Sequence, residues 1–382
     1  MILLNHAANG LMPDVTVQTI TAHLQAEQRR SPHLAALDAA PDMARLYVLL
    51  AEMLACAPED LALTTGNSHG WTALMASIPW QRGDKVLVAP GEWGGNVAML
   101  QQLHKRHGLT MQTLPCRPDG MLDLSALEQL LASDDAIRVV ALTWVPANGS
   151  TIYAAEAVGT LCAAHGVTYV VDAAQAVGAL PVSVQRLQCD ALTAPGRKWL
   201  NGPRGTGLLY VHPRLLPQLQ PVSVDHFSCP ITANGARLRS DARRFELSER
   251  SLALYLGWKA ALEVANISGW AQRYAALAQQ AQALRQSLQA LAHVTLQEHA
   301  SNPPGNPLIA FTVAEHSPQQ VQTALLAQGV SVAVSSMGYT PLDMQARQLD
   351  SVVRASVGWQ TSEADLQGLV TALQQLAPAI PR

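Results

Sequence analysis

The sequence predicts an α/β fold, with a large domain built on a mostly parallel, doubly wound sheet and a small C-terminal α+β domain. The 382 residues are enough for two domains of ordinary size. Hydrophobic residues make up 49% of the chain and charged residues only 14%, a composition typical of a protein with a large buried core. Between about residues 60 and 211, short apolar runs alternate with helical patterns, as in a parallel sheet with crossover helices.

The predicted strands of the large domain are short runs rich in β-branched residues, and two of its helices end just before Gly108 and Gly166. The strands are Leu61 to Thr64, Lys85 to Ala89, Leu109 to Leu114, Arg138 to Thr143, Val167 to Val171 and Thr206 to Val211. The helices are Ser68 to Ser77, Asn96 to His107, Ser125 to Ala132 and Ala155 to His165.

After residue 211 the pattern changes. A long helical stretch runs from about Leu247 to Ala292, with a break near Ile267 to Gly269, and Asn302 to Asn306 is the best linker candidate. The small domain then follows as strand Leu308 to Val313, helix Pro318 to Gln328, strands Val330 to Val334 and Ser351 to Val357, and helix Ser362 to Leu376. We therefore divide the chain into an N-terminal helical segment (1–57), a large domain (58–265) and a small domain (266–382). The N-terminal segment is expected to pack on the small domain or at a dimer interface.

Charge and cysteine content argue against several classes of function. The net charge of −3 argues against nucleic acid as a partner, and we find no apolar run long enough for a membrane span. The five cysteines are scattered and never spaced as CxxC, and His104 and His107 are expected to face solvent, so neither a disulfide framework nor a metal site is predicted. We expect a cytoplasmic protein that acts on a small molecule.

Polar residues follow four of the apolar runs, where the carboxyl ends of parallel strands bind ligands. Thr65 to Ser68 opens a helix whose free N–H groups suit a phosphate. Trp144 to Ser150 includes Asn148. Asp172 and Gln175 follow Val167 to Val171, and Pro195 to Lys198 follows the apolar run Ala191 to Ala194.

Asp172 and Lys198 are the two residues in this group that are hardest to explain by packing, because Asp and Lys are seldom buried without partners. They could form a structural ion pair. Alternatively, a carboxylate that keeps a pyridine nitrogen protonated and an amine that forms an imine are what pyridoxal phosphate requires. We prefer the second interpretation, in which Lys198 carries the cofactor as a Schiff base.

The motifs Val171 to Gln175, Gly196 to Leu200 and Gly202 to Gly207, in this order and spacing, resemble the class V aminotransferase family. The resemblance extends from Leu4 to Ala8, through Glu92 to Asn96 and Arg244 to Glu246, to Val353 to Val357. It is nearest to the branch of isopenicillin N epimerases and hercynylcysteine sulfoxide lyases, with cysteine desulfurases more distant. It implies the fold type I architecture of pyridoxal-phosphate-dependent transferases and a homodimer with active sites at the subunit interface.

Carried over by position, the resemblance implies a role for each candidate site residue. Lys198 is the imine lysine, Asp172 contacts the pyridinium nitrogen, Gln175 contacts the ring hydroxyl, and Trp93 stacks on the ring. The cofactor-binding set is completed by Gly66, Asn67, Ser68 and Arg197 at the phosphate and by Asn148. Arg354 binds the substrate carboxylate, and Asn5 is a further candidate for substrate binding.

Three positions depart from the family pattern. Pro195 stands where relatives have a phosphate-binding hydroxyl, which Thr193 is the candidate to replace. The stretch Val334 to Tyr339 lacks the attacking cysteine of the desulfurases, which makes persulfide formation by that route unlikely. Gly358 and Trp359 replace a histidine or tyrosine pair, so the substrate pocket is expected to be distinctive.

The reaction implied begins with an external aldimine of an α-amino acid and removal of its Cα proton by Lys198. We favour β-elimination of the C–S lyase type or epimerisation, with transamination as the alternative. A hypothesis of another class is a non-catalytic cofactor-binding or scaffold protein.

Overall fold

The computed structural model of the chain describes residues 1–299 and 305–377. Residues 302–304 of the predicted linker lie outside this part. The strands are β1 (Ile2–Leu3), β2 (Leu61–Thr64), β3 (Lys85–Val88), β4 (Thr110–Thr113), β5 (Ile137–Thr143), β6 (Thr168–Asp172), β7 (Ala191–Pro195), β8 (Gly207–Val211), β9 (Ile231–Thr232), β10 (Gly235–Ala236), β11 (Val294–Leu296), β12 (Leu308–Val313), β13 (Val330–Ser331), β14 (Ala333–Ser336) and β15 (Ser351–Ser356). The helices are α1 (Asp14–Arg30), α2 (Pro32–Leu54), α3 (Asn67–Ser77), α4 (Gly94–His107), α5 (Leu124–Ser133), α6 (Ala155–His165), α7 (Val184–Leu187), α8 (Leu252–Ala265), α9 (Trp270–Gln289), α10 (Pro318–Ala327), α11 (Pro341–Ala346) and α12 (Glu363–Gln374).

The large domain contains a seven-stranded sheet in the order β2-β8-β7-β6-β5-β3-β4. Strands β7, β6, β5, β3 and β4 are parallel, whereas β8 is antiparallel to both of its neighbours. This confirms the predicted doubly wound, mostly parallel sheet. Asp172 lies opposite Thr143 on one side and Thr193 on the other, so β5, β6 and β7 end at the same edge. That edge carries the candidate site.

Both faces of this sheet are buried, as a parallel sheet covered by crossover helices requires. In β5, Val140 and Leu142 belong to one hydrophobic core, and Val139 and Ala141 belong to the core on the opposite face. This alternation explains why the strand is apolar throughout, because side chains of successive residues point to opposite faces.

The small domain has an antiparallel sheet in the order β11-β12-β15-β14. Val353 and Ala355 of β15 lie in the core that this sheet forms with α9, α10 and α12. Arg354, between them, therefore points to the opposite face. The predicted strand Val330 to Val334 is two strands here, β13 and β14, and only β14 joins this sheet.

The N-terminal segment contacts both domains. Strand β1 pairs in parallel with β13 of the small domain, whereas α1 and α2 pack on α8. The predicted break in the long helical stretch is confirmed, because α8 ends at Ala265 and α9 begins at Trp270. Within residues 1–299 and 305–377, no helix is long and apolar enough to cross a membrane.

Candidate active site

A cavity of about 310 Å³ opens at the carboxyl ends of β5, β6 and β7 and at the start of α3. Most of the predicted site residues line it, namely Gly66, Asn67, Ser68, Trp93, Asp172, Gln175, Arg197 and Lys198. Several further lining residues were not predicted from the sequence, and these include His69, Thr143, Val145, Ala147 and Arg204. Asn5, Asn148 and Arg354 are not part of the lining.

Lys198 lies three residues beyond β7 and is half-buried. Burial and the neighbouring positive charges of Arg197 and Arg354 lower its pKa to about 7, although Asp172 acts in the opposite direction. A large fraction of such an amine is unprotonated at neutral pH. Lys198 can therefore act as a nucleophile or as a base.

Asp172 is the last residue of β6 and is almost completely buried. Its Oδ2 accepts hydrogen bonds from the side-chain amides of Asn67 (2.9 Å) and Asn96 (2.8 Å), and its Oδ1 accepts one from the N–H of Ala174 (3.0 Å). These three donors fix the orientation of the carboxylate. Because Asp172 also lines the cavity, it offers a fixed negative charge to a cationic ligand.

Gln175 is held in one orientation by its neighbours. Its Oε1 accepts a hydrogen bond from the indole N–H of Trp199 (2.9 Å), which can only donate. Its Nε2 donates to the carbonyl of Ala7 (3.0 Å). The second hydrogen of Nε2 is therefore available to an acceptor in the cavity.

The wall of the cavity at the start of α3 suits an anion. Helix α3 begins here after Gly66, which has no side chain to cap the free N–H groups of the first turn. Arg197 and Arg204 line the same region. Thr193 was a candidate for the hydroxyl missing at Pro195, but its side chain is fully buried and lies outside the cavity lining. Thr193 therefore does not replace that hydroxyl in this structure.

Two aromatic residues meet near the cavity across the domain boundary. The rings of Trp93 and Tyr339 lie 5.2 Å apart at an angle of 55°. The backbones also approach closely, because a Cβ added to Gly94 would lie 2.0 Å from the carbonyl oxygen of Gly338. The turn after β14 is thus packed against the start of α4.

Arg354 is a buried cation without an acidic partner among the described residues. It is 6% exposed and donates to the carbonyl of Ala147, a lining residue, and its guanidinium lies 5.9 Å from the Tyr339 ring. Its Nε has no hydrogen-bond partner in the described part of the chain. Burial lowers its pKa to about 10, so it stays charged at neutral pH. An anionic ligand would satisfy this charge.

The structure does not bring Asn148 and Asn5 to the cavity. The Asn148 amide donates instead to Asp343 (2.6 Å), and Ala147 occupies the cavity wall beside it. The reason is local, since side chains of adjacent residues point in different directions. Asn5 is half-buried and forms a backbone bridge to Ser356 at the end of β15.

These features together match the groups of pyridoxal phosphate. The cavity is lined by cationic side chains and a helix N-terminus, by a fixed carboxylate, by an amine of lowered pKa, and by aromatic and apolar side chains. A phosphate, a ring nitrogen that binds a proton and an aldehyde require these three kinds of partner.

Comparisons with known proteins agree with this geometry. The family model described as aminotransferase class-V matches residues 2–369. A cysteine desulfurase of Serratia proteamaculans (strain 568) is 27% identical, with 98% of this chain and 92% of the relative covered. A cystine C–S lyase, C-DES, solved with its reaction product cysteine persulfide, has a TM-score of 0.89 and 25% identity, with 99% and 98% of the two chains covered. A mutant of C-DES with glycine covalently linked to its PLP cofactor has a TM-score of 0.88 and 25% identity, with 97% and 96% covered.

A match over nearly the whole chain confirms the predicted resemblance, the fold type I architecture and the cofactor. The chain belongs to the class V aminotransferase family and is a pyridoxal-phosphate-dependent enzyme.

Proposed function

We propose that this enzyme is a β-eliminating C–S lyase, which acts on an α-amino acid that carries sulfur on its Cβ atom. The observation that carries the proposal is a cavity with a lysine of lowered pKa beside an unpaired buried arginine, and with no cysteine among its described lining residues. The similarity to cystine C–S lyase and to cysteine desulfurase supports chemistry at a carbon–sulfur bond.

We assign the cofactor contacts by the chemistry of each side chain. Lys198 would bind the aldehyde carbon, Asp172 the ring N–H, and the free N–H of Gln175 the ring hydroxyl. The α3 N-terminus, with the backbone N–H of Asn67 and with Ser68 and Arg197, would hold the phosphate. Trp93 lines the cavity and offers a flat surface for the ring. When bound, pyridoxal phosphate supplies an electron sink that stabilises negative charge on the substrate Cα atom.

The substrate steps follow from Lys198 and Arg354. Arg354 binds the carboxylate through two parallel hydrogen bonds and so fixes the orientation of the amino acid. The unprotonated amine of Lys198 would then take the Cα proton of the bound amino acid. The Cβ–S bond breaks, sulfur leaves with the bonding electrons, and a proton completes the thiol or persulfide. Water hydrolyses the remaining aminoacrylate to pyruvate and ammonia.

The site supports this lyase activity better than the activity of a desulfurase that transfers sulfur to its own cysteine. The turn Met337–Tyr339, which matches the cysteine-bearing loop of the desulfurases, presents Tyr339 to Trp93. The sulfur product is therefore expected in solution rather than on the protein.

We also propose that the enzyme is a homodimer in the cytoplasm. Large apolar side chains are exposed in and just before α1 and in α2, including Leu11, Val17, Leu24 and Leu37. A second copy would cover such a surface.

The test is a panel of S-substituted cysteines, cystine, cysteine and sulfur-free amino acids, each incubated with the enzyme and with Lys198→Ala. We expect pyruvate, ammonia and a thiol or persulfide in equal amounts from the sulfur substrates, and none from the variant. Inverted stereochemistry at Cα would instead identify an epimerase, and a keto acid with pyridoxamine phosphate would identify a transaminase. A spectral change on amino-acid binding without product would indicate a non-catalytic protein.

A further inference from the structure

A second carboxylate lies behind Asp172, and the proposed reaction does not use it. Glu92 follows β3 and has no exposed surface. It accepts hydrogen bonds from the hydroxyl (2.6 Å) and the N–H (3.3 Å) of Thr143, from the N–H of Trp93 (3.2 Å) and from the amide of Asn96 (2.7 Å). These four hydrogen bonds stabilise the ionised form of the Glu92 carboxylate.

Asn96 connects the two carboxylates. Its single amide nitrogen donates one hydrogen to Glu92 (2.7 Å) and the other to Asp172 (2.8 Å). The Asn96 amide oxygen is buried without a partner among the described residues, so the two carboxylates fix the orientation of the amide. If the amide were reversed, its oxygen would face both of them.

We infer that Glu92 is a positioning residue for the cofactor ring, because it holds Asn96, and through it Asp172, and adds negative charge beside the ring nitrogen. The inference rests on the proposed assignment of Asp172 to that nitrogen. Thr143 extends the arrangement, since it lines the cavity, lies opposite Asp172 in the sheet and donates to Glu92.

The charge on Glu92 depends on its neighbours. Burial, and then the charge of Asp172, raise the pKa of Glu92 to about 7, against the effect of its hydrogen bonds to Thr143, Asn96 and Trp93. The phenol of Tyr153 is a further titratable group close enough to interact with it. A cationic ring at Asp172 would offset the repulsion between the two carboxylates and so favour the ionised form of Glu92.

The experiment compares Glu92→Gln with a matched control, Glu246→Gln. Glu246 is also buried and also accepts several hydrogen bonds, from Tyr47 and Leu63 among others, but it lies outside the cavity lining. Each cofactor-free protein is titrated with pyridoxal phosphate, and the visible band of the lysine-bound cofactor is followed against pH. For Glu92→Gln we expect about tenfold weaker cofactor binding and a band midpoint lower by about one pH unit, because one negative charge near the protonated cofactor is lost.

Glu246→Gln should reduce the thermal stability but leave the cofactor affinity and the pH midpoint of the visible band unchanged. Thr143→Val, which removes one donor and keeps the shape, should shift the midpoint in the same direction by less; this variant serves if Glu92→Gln does not fold. The inference is overturned if the variants at residues 92 and 143 keep the midpoint and the affinity of the parent. If Asp172→Asn leaves the midpoint unchanged, the proposed assignment of Asp172 to the ring nitrogen fails. That outcome is distinct from a failure of the inference about Glu92.

Discussion

Replacing Arg354 tests how the substrate is recognised. Arg354 is 6% exposed and lacks a carboxylate partner among the described residues, so a bound carboxylate would be largely desolvated. Two charge-assisted hydrogen bonds in such a place contribute about 2 to 4 kcal/mol after the bond to the Ala147 carbonyl is given up. Arg354→Ala should therefore weaken amino-acid binding about 30-fold to 700-fold.

The assay titrates each variant with amino acid while the visible cofactor band is followed. Arg354→Lys should recover only part of the loss, because lysine keeps the charge but not the planar pair of donors. Arg285→Ala is the control, since Arg285 is also a buried arginine of the small domain but is paired with Glu298. Cofactor affinity should be unchanged in all three. If Arg354→Ala bound the amino acid as tightly as the parent, another residue would have to hold the carboxylate.

Four other predictions follow. Lys198→Ala should lose the visible band after dialysis, and borohydride reduction of the parent should label this lysine alone, as checked by peptide mapping. In cofactor-free protein the pKa of Glu92 rises from 4.5 to about 7, so the folded state binds more protons between these values and thermal stability should fall as the pH rises from about 4.5 to 7. This would be contradicted if the thermal stability of the parent did not change with pH, or if it fell by the same amount in Glu92→Gln. Gly94→Ala should weaken substrate binding by forcing Gly338 away, whereas Gly338→Ala, whose new Cβ meets nothing within 4 Å, should not; equal effects in kinetics would refute the explanation. Sedimentation should give a dimer, and a fully active monomer would argue against it.

Much of the large domain could be predicted from the sequence because its strands are continuous apolar runs between recognisable helix ends. The helix Ala155 to His165 is found with its predicted bounds, and Gly166 adopts the left-handed conformation (φ 67°) of a helix C-terminus. The direction of β8 could not be predicted, because local pattern does not show which way a strand runs. The division between β13 and β14 was missed because Val332, which lies between them, is as apolar and as buried as Val330. The two strands differ in their pairing, since β13 pairs with β1 and β14 pairs with β15.

The site was predictable where a residue ends a strand or lies within a few residues of its end, as with Asp172 and Lys198. The site was less predictable where either of two adjacent residues could face the cavity. The sequence does not show which one does, and in the structure it is Ala147 rather than Asn148. The sequence analysis gave no role to Glu92 or Asn96. The available signal was a glutamate just before the N-cap of α4 and an asparagine in the first turn of that helix.

The N-terminal segment connects the proposed substrate-binding and cofactor-binding residues, although these lie far apart in the sequence. The N–H of Ala7 donates to the hydroxyl of Ser356 (2.9 Å), two residues beyond Arg354 in β15, and the carbonyl of Ala7 accepts from Gln175 (3.0 Å). The next carbonyl, of Ala8, accepts from Arg197. A displacement of β15 would therefore be transmitted through one or two peptide units to the residues proposed to hold the ring hydroxyl and the phosphate. Because backbone groups make these contacts, side-chain replacement in the segment should preserve the link, whereas its deletion should weaken cofactor and substrate binding together.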